Sequence, residues 1–200
     1  MKCTKMQARI RRKKYNYVRT KPEQVGENIL HRDFTATAPN QKWCTDVTEF
    51  KIIGQDRKLY LSAVLDLYDR SIVSYVLSNS NNNKLVFDTF DLALKKNPGA
   101  KPIFHSDRGF QYTSKQFKFK LDKAGMIQSM SRVGKCIDNG PMEGFWGTLK
   151  SEMFKGIKYT NEQALRNAIK DYILFYNNAR FQKKLENMAP NEYRSHALIA

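Results

Sequence analysis

The chain has few cysteines and no long apolar run. Its three cysteines, Cys3, Cys44 and Cys136, are far apart and form no CxxC pair, so they predict neither a disulfide framework nor a zinc site. No segment approaches the roughly 18 consecutive apolar residues of a membrane span. The basic N-terminus is not followed by the apolar stretch of a secretory signal. These absences favour a cytoplasmic protein without a membrane partner.

Acidic residues are also scarce relative to basic ones. The chain contains 35 Lys or Arg and 19 Asp or Glu, a formal net charge of +16, which favours a polyanionic partner, nucleic acid before membrane. Residues 1–22 hold nine of the basic residues and no acid. We interpret this segment as a basic arm whose candidate phosphate contacts include a basic run. That run consists of Arg11, Arg12, Lys13 and Lys14.

From residue 41 onward the pattern is that of a folded α/β domain. Runs of β-forming residues bounded by turns predict strands, and apolar residues at helical spacing predict helices. The predicted strands are 41–53, 59–68, 71–78, 101–107 and 126–130, and the predicted helices begin near residues 81, 114, 141 and 160. Three successive strands followed by alternating helices and strands predict a mixed sheet with helices on its faces.

Two helix starts carry recognisable turn residues. Pro141 follows Asn139 and Gly140 and is well placed as the first residue of a helix. Thr160 is the predicted N-cap of the last long helix, and Gln163 three residues later would complete a capping box. The apolar positions of that helix share one stripe, which predicts a buried face. The stripe consists of Leu165, Ile169, Tyr172, Ile173 and Tyr176.

Three acidic residues stand where a rigid frame could direct carboxylates onto a divalent cation. Asp46 lies inside the first strand, where a buried charge costs free energy unless a partner or a metal offsets it; alternatively, it faces water from an edge strand. Asp107 ends a strand and could be an ordinary turn residue before Arg108. Glu143 falls in the first turn of a helix, where an acid also stabilises the helix dipole. Taken singly, each acid retains a purely structural explanation.

The sequence around these acids resembles a known family. The phrases WCTDVT, HSDRGFQYTS and DNGPMEGFWGTLKSE resemble the motif regions of the DDE transposases and retroviral-type integrases. The resemblance is closest to the catalytic reading frame of bacterial insertion sequences whose two frames are joined by a translational frameshift. Between Asp107 and Glu143 lie 35 residues, the interval of the family's D,D(35)E signature, and 60 lie between Asp46 and Asp107. The likeness continues in YILFYNNARFQKKLENMAPNEYR and covers residues 41–194.

This resemblance implies an α/β, RNase H-like fold with a mixed five-stranded sheet flanked by helices. It implies that Asp46, Asp107 and Glu143 are the catalytic residues and that they hold two Mg²⁺ ions, for which Mn²⁺ can substitute. The ions in such sites lie about 3.5–4 Å apart. One ion would activate water or a DNA 3′-hydroxyl, and the other would stabilise the leaving oxygen. The implied reaction is DNA strand cleavage followed by strand transfer, without a covalent protein intermediate.

The resemblance also implies the partners of the chain. These are DNA, as element ends and target, and further copies of the chain in a synaptic complex associated with the bacterial nucleoid. Relatives carry helix-turn-helix modules upstream, so we expect a helix-turn-helix protein, as a partner or by fusion, to recognise the element ends. We divide the chain into a basic arm and linker (1–40), a catalytic core (41–160), and a C-terminal helix and basic tail that continue the core (161–200).

Several other side chains near the motifs are interpreted individually. His105 is best explained as a packed, hydrogen-bonded histidine, with modulation of the metal site as the alternative. Phe145, Trp146 and Leu149 are predicted core residues. Four basic residues are candidate DNA contacts, with solvated side chains as the alternative. They are Arg108, Lys150, Arg180 and Lys183.

Two alternative functions remain open from the sequence alone. The chain could be a truncated transposase remnant that binds DNA nonspecifically without productive transposition. It could also be a different RNase H-like enzyme, such as a nuclease that acts on RNA–DNA hybrids. An intact set of three acids argues against a decayed active site.

Overall fold

A computed structural model describes residues 25–133 and 136–197. The candidate phosphate contacts Arg11, Arg12, Lys13 and Lys14 lie outside these ranges. The strands are β1 (Lys42–Lys51), β2 (Lys58–Asp66), β3 (Ile72–Ser78), β4 (Ile103–Ser106) and β5 (Ile127–Met130). The helices are α1 (Asn83–Lys96), α2 (Lys115–Lys123), α3 (Gly140–Leu149), α4 (Glu162–Asn178) and α5 (Pro190–Ala197). None of the helices in the described ranges is both long and apolar enough to cross a membrane.

The five strands form one mixed sheet in the order β3-β2-β1-β4-β5. The pairs β1/β2 and β2/β3 are antiparallel, as consecutive strands joined by short turns must be. The pairs β1/β4 and β4/β5 are parallel, and the chain between the paired strands includes a helix in each case. The predicted mixed five-stranded sheet flanked by helices is therefore confirmed.

The sheet separates two hydrophobic cores. Along β1, Trp43 packs into the core formed with α1 and α2, whereas Cys44 packs into the core formed with α3 and α4. This alternation follows from the two-residue period of a strand. The neighbouring strand β2 contributes to both cores, in agreement with its continuous apolar run. Both faces of β1, which carries Asp46, are therefore fixed by packing.

The helix starts lie within about two residues of the predicted positions. α3 begins at Gly140, so Pro141, the predicted first residue, is its second residue. The predicted N-cap Thr160 is wrong by one residue, because Asn161 caps the helix: its side-chain oxygen accepts hydrogen bonds from the backbone N–H groups of Gln163 and Ala164. All five residues of the predicted apolar stripe are buried. At its C-terminal end, α3 continues into a π-helical turn, Lys150–Phe154, which the sequence did not predict.

The helix α5 is attached to the strand ends by a buried ionic cluster. Arg194 donates to Asp66 Oδ2 at 3.1 Å and to Asp69 Oδ2 at 2.7 Å. Its other terminal nitrogen donates to the side-chain oxygens of Asn40 and Asn97. Both carboxylates are fully buried. The basic tail expected from the sequence thus includes a residue that serves the core.

Candidate active site

Two of the predicted metal ligands lie side by side, where β4 ends beside the middle of β1. Asp46 belongs to β1, and Asp107 is the first residue after β4. In the parallel pair, Cys44 is opposite His105. The same offset continued by two residues places Asp107 beside Asp46, with both on the side of the sheet that faces α3. Both carboxylates are half-buried.

The environment of the two aspartates disfavours two neighbouring negative charges. Burial, followed by the nearby charge of Asp107, raises the pKa of Asp46 to about 7, and the charge of Glu143 adds a smaller effect in the same direction. Burial also raises the pKa of Asp107, opposed by a hydrogen bond from Gly109. A cation bound between two such carboxylates would favour their ionised forms.

Trp146 holds Asp46 as well as filling the core. The sequence predicted only a core residue, and its ring is indeed buried. In addition, its indole Nε1–H donates to Asp46 Oδ2 at 2.9 Å. Because Trp146 lies three residues after Glu143, both side chains project from neighbouring positions of one helix. In the sequence, the three-residue spacing of Glu143 and Trp146 was the pattern that could have indicated this contact.

Gly109 supports Asp107 in a comparable way. Its backbone N–H donates to Asp107 Oδ1 at 2.8 Å. A Cβ atom at this position would lie 3.0 Å from that same oxygen and 3.0 Å from the side-chain oxygen of Gln111. The absence of a side chain therefore permits the close approach of the backbone to the carboxylate. Sequence reasoning did not single out this glycine as a support of Asp107.

Glu143 is exposed in the first turn of α3, at the rim of this pair of aspartates. The turn before it is attached to β1, because Asn139 Nδ2 donates to the carbonyl oxygen of Thr45 at 3.0 Å. Within the described ranges, no three His, Cys, Asp or Glu side chains are grouped closely enough to hold a metal ion. The structure thus brings Asp46 and Asp107 together and leaves the Glu143 carboxylate apart from them.

His105 is a packed histidine, as predicted. Its Nε2 lies 2.8 Å from the carbonyl oxygen of Asp138, and its Nδ1 lies 2.8 Å from Ser129 Oγ. A carbonyl oxygen can only accept, so Nε2 carries the proton and Nδ1 accepts from the serine hydroxyl. Burial lowers the pKa of His105. Both ring nitrogens are used inside the protein, so His105 does not face the aspartates as a ligand.

Lys150 lies beside the carboxylates on the C-terminal side of α3. Burial lowers its pKa, while the charges of Glu49 and Asp46 raise it, which places the ammonium group near both acids. Lys150 also lines a cavity of about 630 Å³ together with Lys51 and Lys155. The remaining lining is mostly apolar and includes no acid. The sequence interpretation did not single out Lys51 or Lys155.

The other candidate DNA contacts differ in their surroundings. Arg108 Nε donates to the carbonyl oxygen of Ser131 at 2.7 Å, which fixes its side chain beside β5. Arg180 donates to both carboxylate oxygens of Glu152, so its guanidinium already has an acidic partner. Lys183 is exposed in a short 3₁₀ helix, Lys183–Leu185.

Comparison with known proteins gives two matching family models, both described as integrase core domain. They match residues 36–136 and 143–198. The "Putative transposase InsK for insertion sequence element IS150" of Escherichia coli K12 is 44% identical over 95% of this chain and 67% of its own length. An "Uncharacterized transposase-like protein" of Haemophilus influenzae is 39% identical over 96% of this chain and 88% of its own length.

Solved structures show the same fold at low sequence identity. The HTLV-2 integrase catalytic core domain in complex with magnesium, in its trimeric form, matches with a TM-score of 0.64 and 19% identity over 80% of this chain and 99% of that chain. Its dimeric form matches with a TM-score of 0.62 and 19% identity over 79% and 98% of the two chains. The expected RNase H-like fold is thereby confirmed.

Proposed function

The chain belongs to the integrase core domain family and functions in DNA transposition and integration; on this premise we propose that Asp46, Asp107 and Glu143 catalyse DNA strand cleavage and strand transfer. The observation that carries the proposal is that Asp46 on β1 lies near Asp107, the first residue after the parallel neighbour β4, so that the charge of Asp107 raises the pKa of Asp46. A third acid lies on the helix whose first turn is attached to β1 beside Asp46. This arrangement suits phosphoryl transfer, which depends on positioned charge more than on a protein nucleophile.

The donor set fits Mg²⁺. Carboxylate oxygens are the protein ligands that this hard cation prefers, and the two neighbouring aspartates have raised pKa values that a bound cation would lower. We propose that Asp46, Asp107 and Glu143 hold two ions, with Mn²⁺ as a substitute, after the exposed Glu143 side chain turns toward the aspartates. The ions would supply Lewis-acid activation of the phosphodiester and of the attacking hydroxyl.

The chain's own residues position these carboxylates and the DNA. Trp146 and Gly109 each fix one oxygen of an aspartate, so the acids are oriented before substrate arrives. Lys150, Lys51 and Lys155 form a basic cavity beside the site. Phosphates of the DNA backbone bind there, which keeps the scissile phosphodiester close to Asp46.

We also propose DNA contacts outside this cavity, at separate basic residues on the surface. Arg108 lies next to Asp107, and Lys183 is free of the core and exposed to solvent. Arg180 contacts DNA only if a phosphate replaces Glu152 as its partner. We retain the basic arm, with Arg11, Arg12, Lys13 and Lys14, as a further phosphate-binding segment.

Assembly and organisation are also proposals for this chain. The two solved integrase cores are a trimeric and a dimeric form, and we propose that this chain works as a homo-oligomer in a synaptic complex. A helix-turn-helix protein, as a partner or by fusion, would recognise the element ends. We propose that the chain is divided into an arm, a core and a C-terminal part at residues 40 and 160. We also propose that it is located in the cytoplasm and acts at the nucleoid. A noncatalytic remnant is not favoured, because the paired aspartates and their supports are intact.

Strand transfer from a precut oligonucleotide in Mg²⁺ tests the catalytic role. Asp46→Asn, Asp107→Asn and Glu143→Gln should each abolish joining, because each removes a charged ligand without changing its shape. Asp91→Asn is the matched control and should retain joining. Asp91 is an exposed acid on α1 that pairs with Lys120 on α2. Mg²⁺ should also raise the melting temperature of the wild type but not of Asp46→Asn. Retained joining by any of the three variants would refute the assignment.

A further inference from the structure

Residues 26–32, which we call the strap, run along the outer edge of β5. The carbonyl oxygen of Glu27 accepts a hydrogen bond from the Met130 N–H at 2.9 Å. Ser129 Oγ accepts from the backbone N–H groups of Ile29 and Leu30 at 3.0 and 3.2 Å. Leu30 is buried in the core on the α3 side. The strap is therefore attached to the domain through the last two residues of the edge strand β5 and through the core.

The strap also binds Asp138, in the 3₁₀ helix Cys136–Asn139 directly before α3. Asn28 Nδ2 donates to Asp138 at 3.1 Å, and Arg32 Nε donates at 2.6 Å. Arg132, after β5, donates its backbone N–H, Nε and Nη2 to the same carboxylate at 3.0, 2.9 and 3.0 Å. The Asp138 side chain is fully buried, although both arginines are about half exposed. One carboxylate thus joins the strap, the segment after β5 and the start of α3.

The backbone around Asp138 extends this network to both aspartate strands. The carbonyl oxygen of Asp138 accepts from His105, two residues before Asp107 on β4. The next residue, Asn139, donates to the carbonyl oxygen of Thr45, next to Asp46 on β1. His105 in turn binds Ser129, the residue that holds the strap. The strap, the turn and the two strands are therefore one hydrogen-bonded unit.

We propose that Asp138 and the strap form a clamp that positions the first turn of α3, and with it Glu143, relative to Asp46 and Asp107. The inference rests on the proposed function and adds Asp138 and Arg32 as positioning residues. Neither side chain is part of the apolar core, since Asp138 is polar and the Arg32 side chain is about half exposed. Their geometric role follows because a buried carboxylate with donors from two other segments, the strap and the segment after β5, restricts the turn that carries it.

Arg32→Ala is the main test, because Arg132 and Asn28 would still pair the buried carboxylate and the fold should survive. We expect kcat for strand transfer to fall about tenfold, as for residues that orient metal ligands, with KM for DNA little changed. Arg32→Lys should restore part of the rate by returning a cation. Amides of residues 139–145 should exchange hydrogen faster in Arg32→Ala, while those of α4 should not. Asp138→Asn should produce the same pattern more strongly.

Arg166→Ala is the matched control, since Arg166 also pairs with a partly buried acid, Glu162, but holds α4 against β3. It should leave kcat and exchange at residues 139–145 unchanged. Wild-type kcat in Arg32→Ala and Asp138→Asn, or unaltered exchange in those amides, would overturn the clamp. If the wild type itself joins no DNA, the proposed function fails, and the exchange measurement alone decides whether the clamp exists.

Discussion

At the scale of single residues, each aspartate of the candidate site accepts a hydrogen bond from a residue that is not an acid. Trp146 donates an indole N–H to Asp46, and Gly109 donates a backbone N–H to Asp107. A carboxylate held at one oxygen keeps the direction of the other, which a metal ligand requires. The rigidity of the pair therefore depends on residues that are not themselves acids.

Trp146→Phe should lower kcat for strand transfer by about tenfold, because the ring remains in the core while Asp46 loses its orienting donor. The free energy of unfolding should fall by only about 1 kcal/mol, the usual value of one hydrogen bond. Kinetics on the precut oligonucleotide and urea unfolding measure the two effects.

Trp43→Phe is a control of the same chemistry. The Trp43 indole also donates to a carboxylate, Asp66 Oδ2 at 3.3 Å, but in the core on the opposite face of the sheet. This variant should lose some stability and keep its rate. Equal rates for the two variants would mean that the Trp146 contact does not orient Asp46 for catalysis.

At the scale of elements, α5 is attached through a charge cluster more than through apolar burial. Arg194 reaches Asp66 and Asp69 in a site where both carboxylates are inaccessible to water. Breaking a buried ion pair leaves an uncompensated charge, which costs more than the pair contributed. Arg194 is therefore a major attachment of this helix, beside the hydrogen bond of Asn191 to Asn178 and the ring contact of Tyr193 with Tyr68.

Arg194→Ala should lower the free energy of unfolding by about 3–5 kcal/mol. Lys58→Ala, which removes the partner of Glu49 in an exposed pair, should change it by about 1 kcal/mol or less. Urea unfolding followed by circular dichroism measures both. A small loss in Arg194→Ala would show that α5 is held by other contacts.

Asp138 should make the turn before α3 sensitive to acid. The hydrogen-bonded Arg132 guanidinium holds the pKa of this carboxyl well below its usual range, whereas in the unfolded chain the value is about 3.9. The unfolded state therefore binds the proton more readily. The stabilisation is complete above about pH 4 and declines as the pH falls further.

Urea unfolding of the wild type and of Asp138→Asn at about pH 6 and about pH 3 checks this linkage. The variant should be the less stable protein at the higher pH and should lose less stability on acidification. The same loss in both proteins would show that other carboxylates account for the acid sensitivity.

Elements with strong local signals were predictable from the sequence. The apolar run of β2 and the stripe of α4 are set by residues within the element, and both are confirmed. The cap of α4 was misplaced because Thr160 and Asn161 are both good capping residues, and only the backbone path decides which one reaches Gln163. The π-helical turn after α3 had no recognisable pattern.

The candidate site was predictable only in part, because its supporting contacts are not local in the sequence. The phrases around Asp46, Asp107 and Glu143 made them candidates, and their catalytic role stays a prediction. The supporting contacts join residues far apart in sequence: Trp146 is 100 residues from Asp46, and Arg32 is 106 residues from Asp138. No local pattern encodes such contacts, because they depend on how the sheet and helices pack.

At the scale of the whole molecule, the charge of +16 is the basis for DNA affinity. Each lysine that neutralises a phosphate releases counterions, so affinity falls with salt more steeply when more phosphates are bound. The cavity beside the site concentrates Lys51, Lys150 and Lys155 without a lining acid. Its contribution should therefore be visible in the salt dependence.

Replacing Lys51, Lys150 and Lys155 together by Ala should make the plot of log affinity against log salt less steep, by about 0.9 for each phosphate that the variant no longer neutralises. A variant with Lys95, Lys101 and Lys123 replaced by Ala has the same net charge, and these exposed lysines lie on the opposite, α1 and α2, side. That control should keep a slope close to wild type. If the two triple variants had the same slope, DNA would not bind at the cavity of Lys51, Lys150 and Lys155.

The parallel pairing of β1 with β4 also governs when the candidate site can form during synthesis. Parallel strands cannot pair through a tight hairpin. Asp46 can therefore approach Asp107 only after β2, β3, α1 and β4 have been synthesised. The turn that carries Glu143 is made later still, and it binds to Thr45 of the first strand. The three proposed catalytic acids are therefore brought to one site only when these distant segments have folded together.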